Sequence, residues 1–100
     1  MRTIWPYDLG SNPISKHNMP AGAEFRHAGI DGEGRLSVWM DVDDEFENTE
    51  LVTFGTFNTQ NTIPNDWTYR ASVQVGSFCL HIHEYNKRDH VVAPETDDAN

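Results

Sequence analysis

Nearly every segment of this chain alternates apolar and polar side chains with a period of two, and glycine- or proline-bearing turns break the runs. From Arg35 to Val42, the residues Leu36, Val38, Met40 and Val42 fall on one face, and Arg35, Ser37, Trp39 and Asp41 on the other. Tyr69, Ala71, Val73 and Val75 alternate with Arg70, Ser72 and Gln74; after Gly76-Ser77, Phe78, Leu80 and Ile82 alternate with Cys79, His81 and His83. That period belongs to a strand with one face in a core. A two-residue Gly-Ser loop suits a type II′ turn, because glycine supplies the positive φ of the first turn position. The spacing predicts a hairpin pairing Val75 with Phe78, Ser72 with His81 and Arg70 with His83, with Cys79 beside them.

The remaining strand signals lie at Thr3 to Leu9, Ile14 to Met19, Ala23 to Ile30 and Glu50 to Phe57. Pro6 confines the first to a sheet edge or a bulge, since proline cannot donate to a ladder. Asp31-Gly32-Glu33-Gly34 reads as a tight connection. Gly55, inside a run rich in Thr, Val and Phe, marks a bulge or a close backbone approach. No segment holds helical spacing over two turns. The expected fold is all-β, a small antiparallel β-sandwich or barrel of about six to seven short strands. Residues 1–85 are expected to form a single β domain and 86–100 a disordered acidic tail, whose few apolar residues cannot offset their ordering entropy.

Seven basic and sixteen acidic residues leave a formal charge of −9, which argues against direct binding to nucleic acid or to an anionic membrane. No apolar run approaches a signal peptide or a membrane span. The single cysteine cannot form an internal disulfide and fits a reducing, cytosolic compartment. A domain this small buries a modest core, so a homo-oligomer is expected.

Asp41, Asp43, Asp44, Glu45 and Glu47 crowd one short stretch. Such a run is ordinarily a solvated loop; its functional reading is a surface that docks on a basic partner. It is no calcium loop, because Phe46 stands where the sixth-position glycine is required. His81 and His83, two apart on a strand, have Cα atoms about 6.5–7 Å apart and two imidazoles there can reach one ion. Cys79 is about 13 Å from His83 along the strand, and Glu84 points to the opposite face, so no third ligand is visible. Neither a metal nor a cofactor is expected. Cys79 near His81 lacks an oxyanion loop and an orienting acid, and reads as a small buried hydrophobe. Trp39, on the more polar face of its strand, is a contact platform unless a second sheet covers it. Arg26, Trp39, Arg70, His81 and His83 form the candidate ligand-binding set, with guanidinium for an anionic group and indole for stacking.

The chain resembles a family of small proteins of unknown function encoded mainly by tailed bacteriophages. The likeness runs through Met1-Arg2-Thr3-Ile4-Trp5, Met19-Pro20-Ala21-Gly22-Ala23 and Leu36-Ser37-Val38-Trp39. It continues through Phe54-Gly55-Thr56, Ile63-Pro64, Gly76-Ser77-Phe78 and His81-Ile82-His83-Glu84. Two departures stand out. Gly55-Thr56-Phe57-Asn58 replaces the family's Gly-Thr-Gly-His loop, and an aromatic residue is more usual at the position of His83. The resemblance implies a phage accessory protein in the host cytoplasm. The leading expectation is a non-enzymatic anti-defence inhibitor that binds a host protein or sequesters a small anionic, nucleotide-like signal. The alternatives are a metal-dependent hydrolase centred on His81 and His83, or a minor virion structural component.

Overall fold

Period-two alternation builds strands throughout. The computed structural model describes residues 1–45 and 47–91, and every helix or strand among them is a strand. These are β1 (Arg2–Asp8), β2 (Ile14–Pro20), β3 (Glu24–Ile30), β4 (Leu36–Asp43), β5 (Thr49–Asn58), β6 (Trp67–Val75), β7 (Phe78–Tyr85) and β8 (Asp89–Val91). Among the described residues no helix is long and apolar enough to cross a membrane.

All pairings are antiparallel. A three-stranded sheet has the order β1-β4-β3, and a larger sheet the order β2-β5-β7-β6, with β8 paired to β5. The expected sandwich is therefore observed. Its core sets Val38, Met40 and Val42 of β4 against Met19 of β2, Val52 and Phe54 of β5, and Ile82 of β7, with Leu9, Ala23, Ala28 and Val73 completing it. Each fully buried Val, Ile, Met or Phe side chain contributes about 1.5–3 kcal/mol, so this row decides which face of each strand turns inward.

The turns follow their residues. Gly76 opens the β6–β7 hairpin at φ 60°, as the Gly-Ser loop requires. In the β3–β4 turn, Asp31 Oδ1 accepts from the backbone N–H groups of Glu33 and Arg35 at 2.9 Å each. Gly34 beside it adopts φ 83°.

The edge strands are β1 and β3 of the smaller sheet and β2 and β6 at the ends of the larger one, and the three-residue β8, paired to β5 alone among the described strands, is a further short edge. Pro6 sits within β1, as expected of a strand proline, and Lys16 within β2. Arg26 and Arg70 occupy register shifts in β3 and β6.

Order continues past Tyr85, where the sequence predicts a tail. Glu84, 3% exposed, receives Arg70 Nη2 at 3.0 Å and Arg88 Nε at 2.8 Å. Arg88 Nη1 also reaches Glu50 Oε1 at 3.1 Å. Glu50 Oε1 accepts the Gly22 N–H at 3.1 Å, and that bond, ahead of the Arg88 pairing, holds the Glu50 carboxyl below its ordinary range. Charge pairing supplies here the anchorage that apolar burial does not, and Asp89–Val91 then pairs with Thr49–Leu51. Residues 92–100 of the expected tail lie outside the described residues.

Candidate functional site

The hairpin register holds at its tip and slips farther on. Val75 pairs with Phe78 and Ser72 with His81, as the spacing predicts, but a bulge at Arg70 places Tyr69 opposite His83. One extra residue reverses the faces beyond it. Tyr69, expected in the core row with Ala71 and Val73, is 55% exposed and turned outward. Arg70, expected opposite His83, instead pairs with Glu84.

The bulge gathers aromatic side chains on the outer face of the larger sheet. Its centre is Gly55, which pairs with Ile14 of β2 on one side and His83 of β7 on the other. A Cβ at Gly55 would lie 2.9 Å from Trp67 Cζ3, 3.0 Å from Phe57 Cε2 and 3.2 Å from Ile14 Cδ1. The absent side chain is thus the space that the rings occupy. Phe57 meets Trp67 at 5.6 Å between ring centroids and His83 at 5.3 Å, both edge to face. Trp67 lies 5.3 Å from Tyr85, and Tyr69 5.4 Å from His83. Such arrangements suit the ring quadrupoles and add about 0.5–1.5 kcal/mol per aromatic pair beyond burial. In this sheet the register turns Glu50 and Glu84 inward; of its strand carboxylates only Asp89, on β8, faces out.

The two histidines of this face differ in their surroundings. His81 bridges two hydroxyls: Ser72 Oγ lies 2.7 Å from its Nδ1 and Thr59 Oγ1 lies 2.9 Å from its Nε2. Tyr69 Oη shares a further bond of 2.9 Å with Ser72 Oγ. Hydroxyls donate or accept by rotation, so this chain accommodates either His81 tautomer. His83 is 6% exposed, and its Nδ1 is buried without a hydrogen-bond partner. Among the described residues, no group of three or more His, Cys, Asp and Glu side chains is placed to hold a metal ion.

The structure does not bring the candidate ligand-binding set together. His81 and His83 lie on the outer face of the larger sheet, and Arg70 turns to Glu84. Arg26 and Trp39 belong to the smaller sheet, on the outer face opposite the core row of Val38, Met40 and Val42. Among the described residues no second sheet covers Trp39; it is partly exposed beside His27 at 5.3 Å. Asp41 accepts from Arg2 Nε at 2.9 Å and Arg26 Nη2 at 3.1 Å, and these bonds, that from Arg2 foremost, hold its carboxyl below the ordinary range. Asp43, Asp44 and Glu45 gather around the Met1 ammonium at 3.0, 3.4 and 3.0 Å, while Glu47 is exposed. The acidic stretch is therefore largely engaged in ion pairs within the chain.

A domain of unknown function, DUF7352, matches residues 1–92. The chain belongs to the DUF7352 family. No curated protein and no solved structure matches it. The match takes in all eight strands, including the short β8. Sequence reading passed over Phe57, Trp67 and Tyr85 as members of this DUF7352 chain's aromatic face. The available signals were Gly55 inside a strand and the alternation of Trp67 with Tyr69 and of His83 with Tyr85.

Proposed function

We propose that this protein is a non-enzymatic binding protein, an accessory of a tailed bacteriophage that acts in the host cytoplasm by engaging a host protein and blunting a defence. The observation that carries the binding surface is the outer face of the larger sheet, where Phe57, Trp67, Tyr69 and Tyr85 surround Gly55. Rigid aromatic side chains give large contact area at low entropy cost and dominate protein interfaces. The edge strands carry Pro6, Lys16 and the bulged Arg26 and Arg70, so partner recognition falls to a face rather than to strand addition. The phage setting rests on the resemblance described above, and the cytoplasm on the single cysteine.

The sequestering of a small anionic signal has less support, because Arg26 and Trp39 lie on a different sheet from His81 and His83. The hydrolase reading lacks a third ligand beside His81, whose two ring nitrogens both meet hydroxyls.

Affinity capture from host lysate with the wild type, Tyr69→Glu and a triple Asp43→Ser, Asp44→Ser, Glu45→Ser variant tests the reading. The same host protein should be retained by the wild type and the triple variant, with little loss at high salt, and be lost with Tyr69→Glu. Retention by Tyr69→Glu together with loss in the triple variant moves the interface to the acidic stretch and refutes the aromatic face.

A further inference from the structure

Trp5 faces inward and is nevertheless exposed. On β1, Thr3, Trp5 and Tyr7 pair with Val42, Met40 and Val38, the row of β4 that fills the core. Tyr7 is partly buried and meets His17 of the larger sheet at 6.0 Å between ring centroids. Two residues back along the strand Trp5 is 56% exposed, so cover from the larger sheet runs out between the two rings. The result is a groove of about 370 Å³ where the sheets border, lined by Thr3, Trp5, Tyr7, Val42, Asp44 and, at the end of β2, Pro20. Among these lining residues only Asp44 is charged. Asp43, Asp44 and Glu45 share the single Met1 ammonium, with Asp44 the farthest from it at 3.4 Å. Three carboxylates against one cation leave the mouth of the groove with a surplus of negative charge.

We propose that this groove is a binding site for a small organic cation, an alkylated ammonium whose charge lies beside Asp44 and whose alkyl groups rest against Trp5 and Tyr7. Indole is the strongest of the aromatic side chains at holding a cation over its face. Trp5 and Tyr7 share one face of β1 with Cα atoms about 6.5–7 Å apart, so one ammonium head can touch both rings. Charge selects the occupant. An anion would be repelled by Asp44 and by a chain whose formal charge is −9, whereas a cation is drawn by both. A bare metal ion is a poor fit, because hard cations need several oxygen ligands and these walls offer one carboxylate among apolar groups. An alkylated ammonium is apolar on its outside and gives up little hydration on entering. The groove has the size of a small-molecule site, and being open to solvent it binds weakly. It lies between β1 and β2, apart from the aromatic face around Gly55, so its occupancy is independent of a partner bound there.

An NMR titration at constant ionic strength tests the proposal, with thermal melts confirming that each variant folds. The probe is choline, and the control is dimethylbutanol, its uncharged isostere in which carbon replaces the quaternary nitrogen. Choline should shift the Trp5 indole N–H resonance along a saturating curve and leave those of Trp39 and Trp67 in place. The alcohol should bind at least about fivefold more weakly, since it forgoes the cation–π contact. Asp44→Asn should weaken choline about threefold and leave the alcohol unchanged. Trp5→Leu should abolish saturable binding of choline, read at the Tyr7 and Val42 amides. No saturable shift at Trp5, equal affinity for the two probes, or choline binding that survives Trp5→Leu each overturns the proposal. A lysine-rich peptide that shifts Trp5 at far lower concentration than choline would assign the groove to a basic protein segment and refute the small-ligand reading.

Discussion

Replacing Gly55 with alanine probes whether the aromatic rings rest on the backbone. The new Cβ would sit 2.9 Å from Trp67 Cζ3 and 3.0 Å from Phe57 Cε2, closer than carbon atoms tolerate, so both rings must move. Overpacking of this kind costs about 1–3 kcal/mol. Against it stands the gain from removing a strand glycine, about 0.5–1 kcal/mol. The net expectation is destabilisation by roughly 1 kcal/mol, within a span of about 0–2.5 kcal/mol, or about 4–8 °C in Tm for each kcal/mol in a domain of this size. Urea denaturation followed by tryptophan fluorescence reports both the stability and the displaced indole. The decisive measurement repeats the substitution in a Trp67→Ala background, where the closest contact is gone and Phe57 can turn into the vacated space, so alanine should be better tolerated. Equal destabilisation in both backgrounds would refute the argument that the Trp67 ring occupies the space over Gly55.

Glu84→Gln should destabilise the fold by about 2–4 kcal/mol, because it strips the counter-charge from Arg70 and Arg88 while leaving both in place; a urea-midpoint change worth less than about 1 kcal/mol would show that the network is dispensable. His17, half-buried against Tyr7 and Phe54, has its pKa lowered by burial, an effect Asp8 partly opposes. The folded state then binds fewer protons than the unfolded one, so stability is intact above about pH 6.5 and falls as pH drops through that value. His17→Gln should flatten the pH profile below about pH 6.5; an unchanged slope would assign it to other groups. The Asp41 and Glu50 carboxyls are depressed in the fold, so their contribution holds above about pH 4.5 and disappears as pH falls below it. Asp41→Asn should shift the acid-unfolding midpoint upward if its pairing with Arg2 and Arg26 stabilises the native state.

The strands and their inward faces were legible because alternation reports burial directly. Val38, Met40 and Val42 illustrate it, as does the prediction that Pro6 keeps β1 at an edge. The bulge at Arg70 was not legible. A single inserted residue leaves the alternation of the sequence intact but reverses the face that each residue beyond it takes, so Tyr69 reads as a core residue. The aromatic face is hidden for a related reason. Phe57, Trp67 and Tyr85 come from three strands, and only sheet order brings them around Gly55. The ordered stretch after Tyr85 was missed because its anchor is ionic: Arg88 finds partners in Glu84 and Glu50, which apolar patterning cannot register. The five candidate ligand-binding residues shared suitable chemistry, but chemistry alone does not assign residues to a common face.

Pro6, Lys16, Arg26 and Arg70 also bear on what the protein does when it is abundant. Pro6 lacks a backbone donor, Arg26 and Arg70 sit at register shifts, and Lys16 sets a charge on its border, and each of these disfavours pairing with another chain's backbone. Growth into cross-β fibres requires a long, unguarded ladder at such a border, and these four strands each carry a residue that works against one. A chain guarded in this way meets its neighbours through side chains rather than through shared backbone ladders.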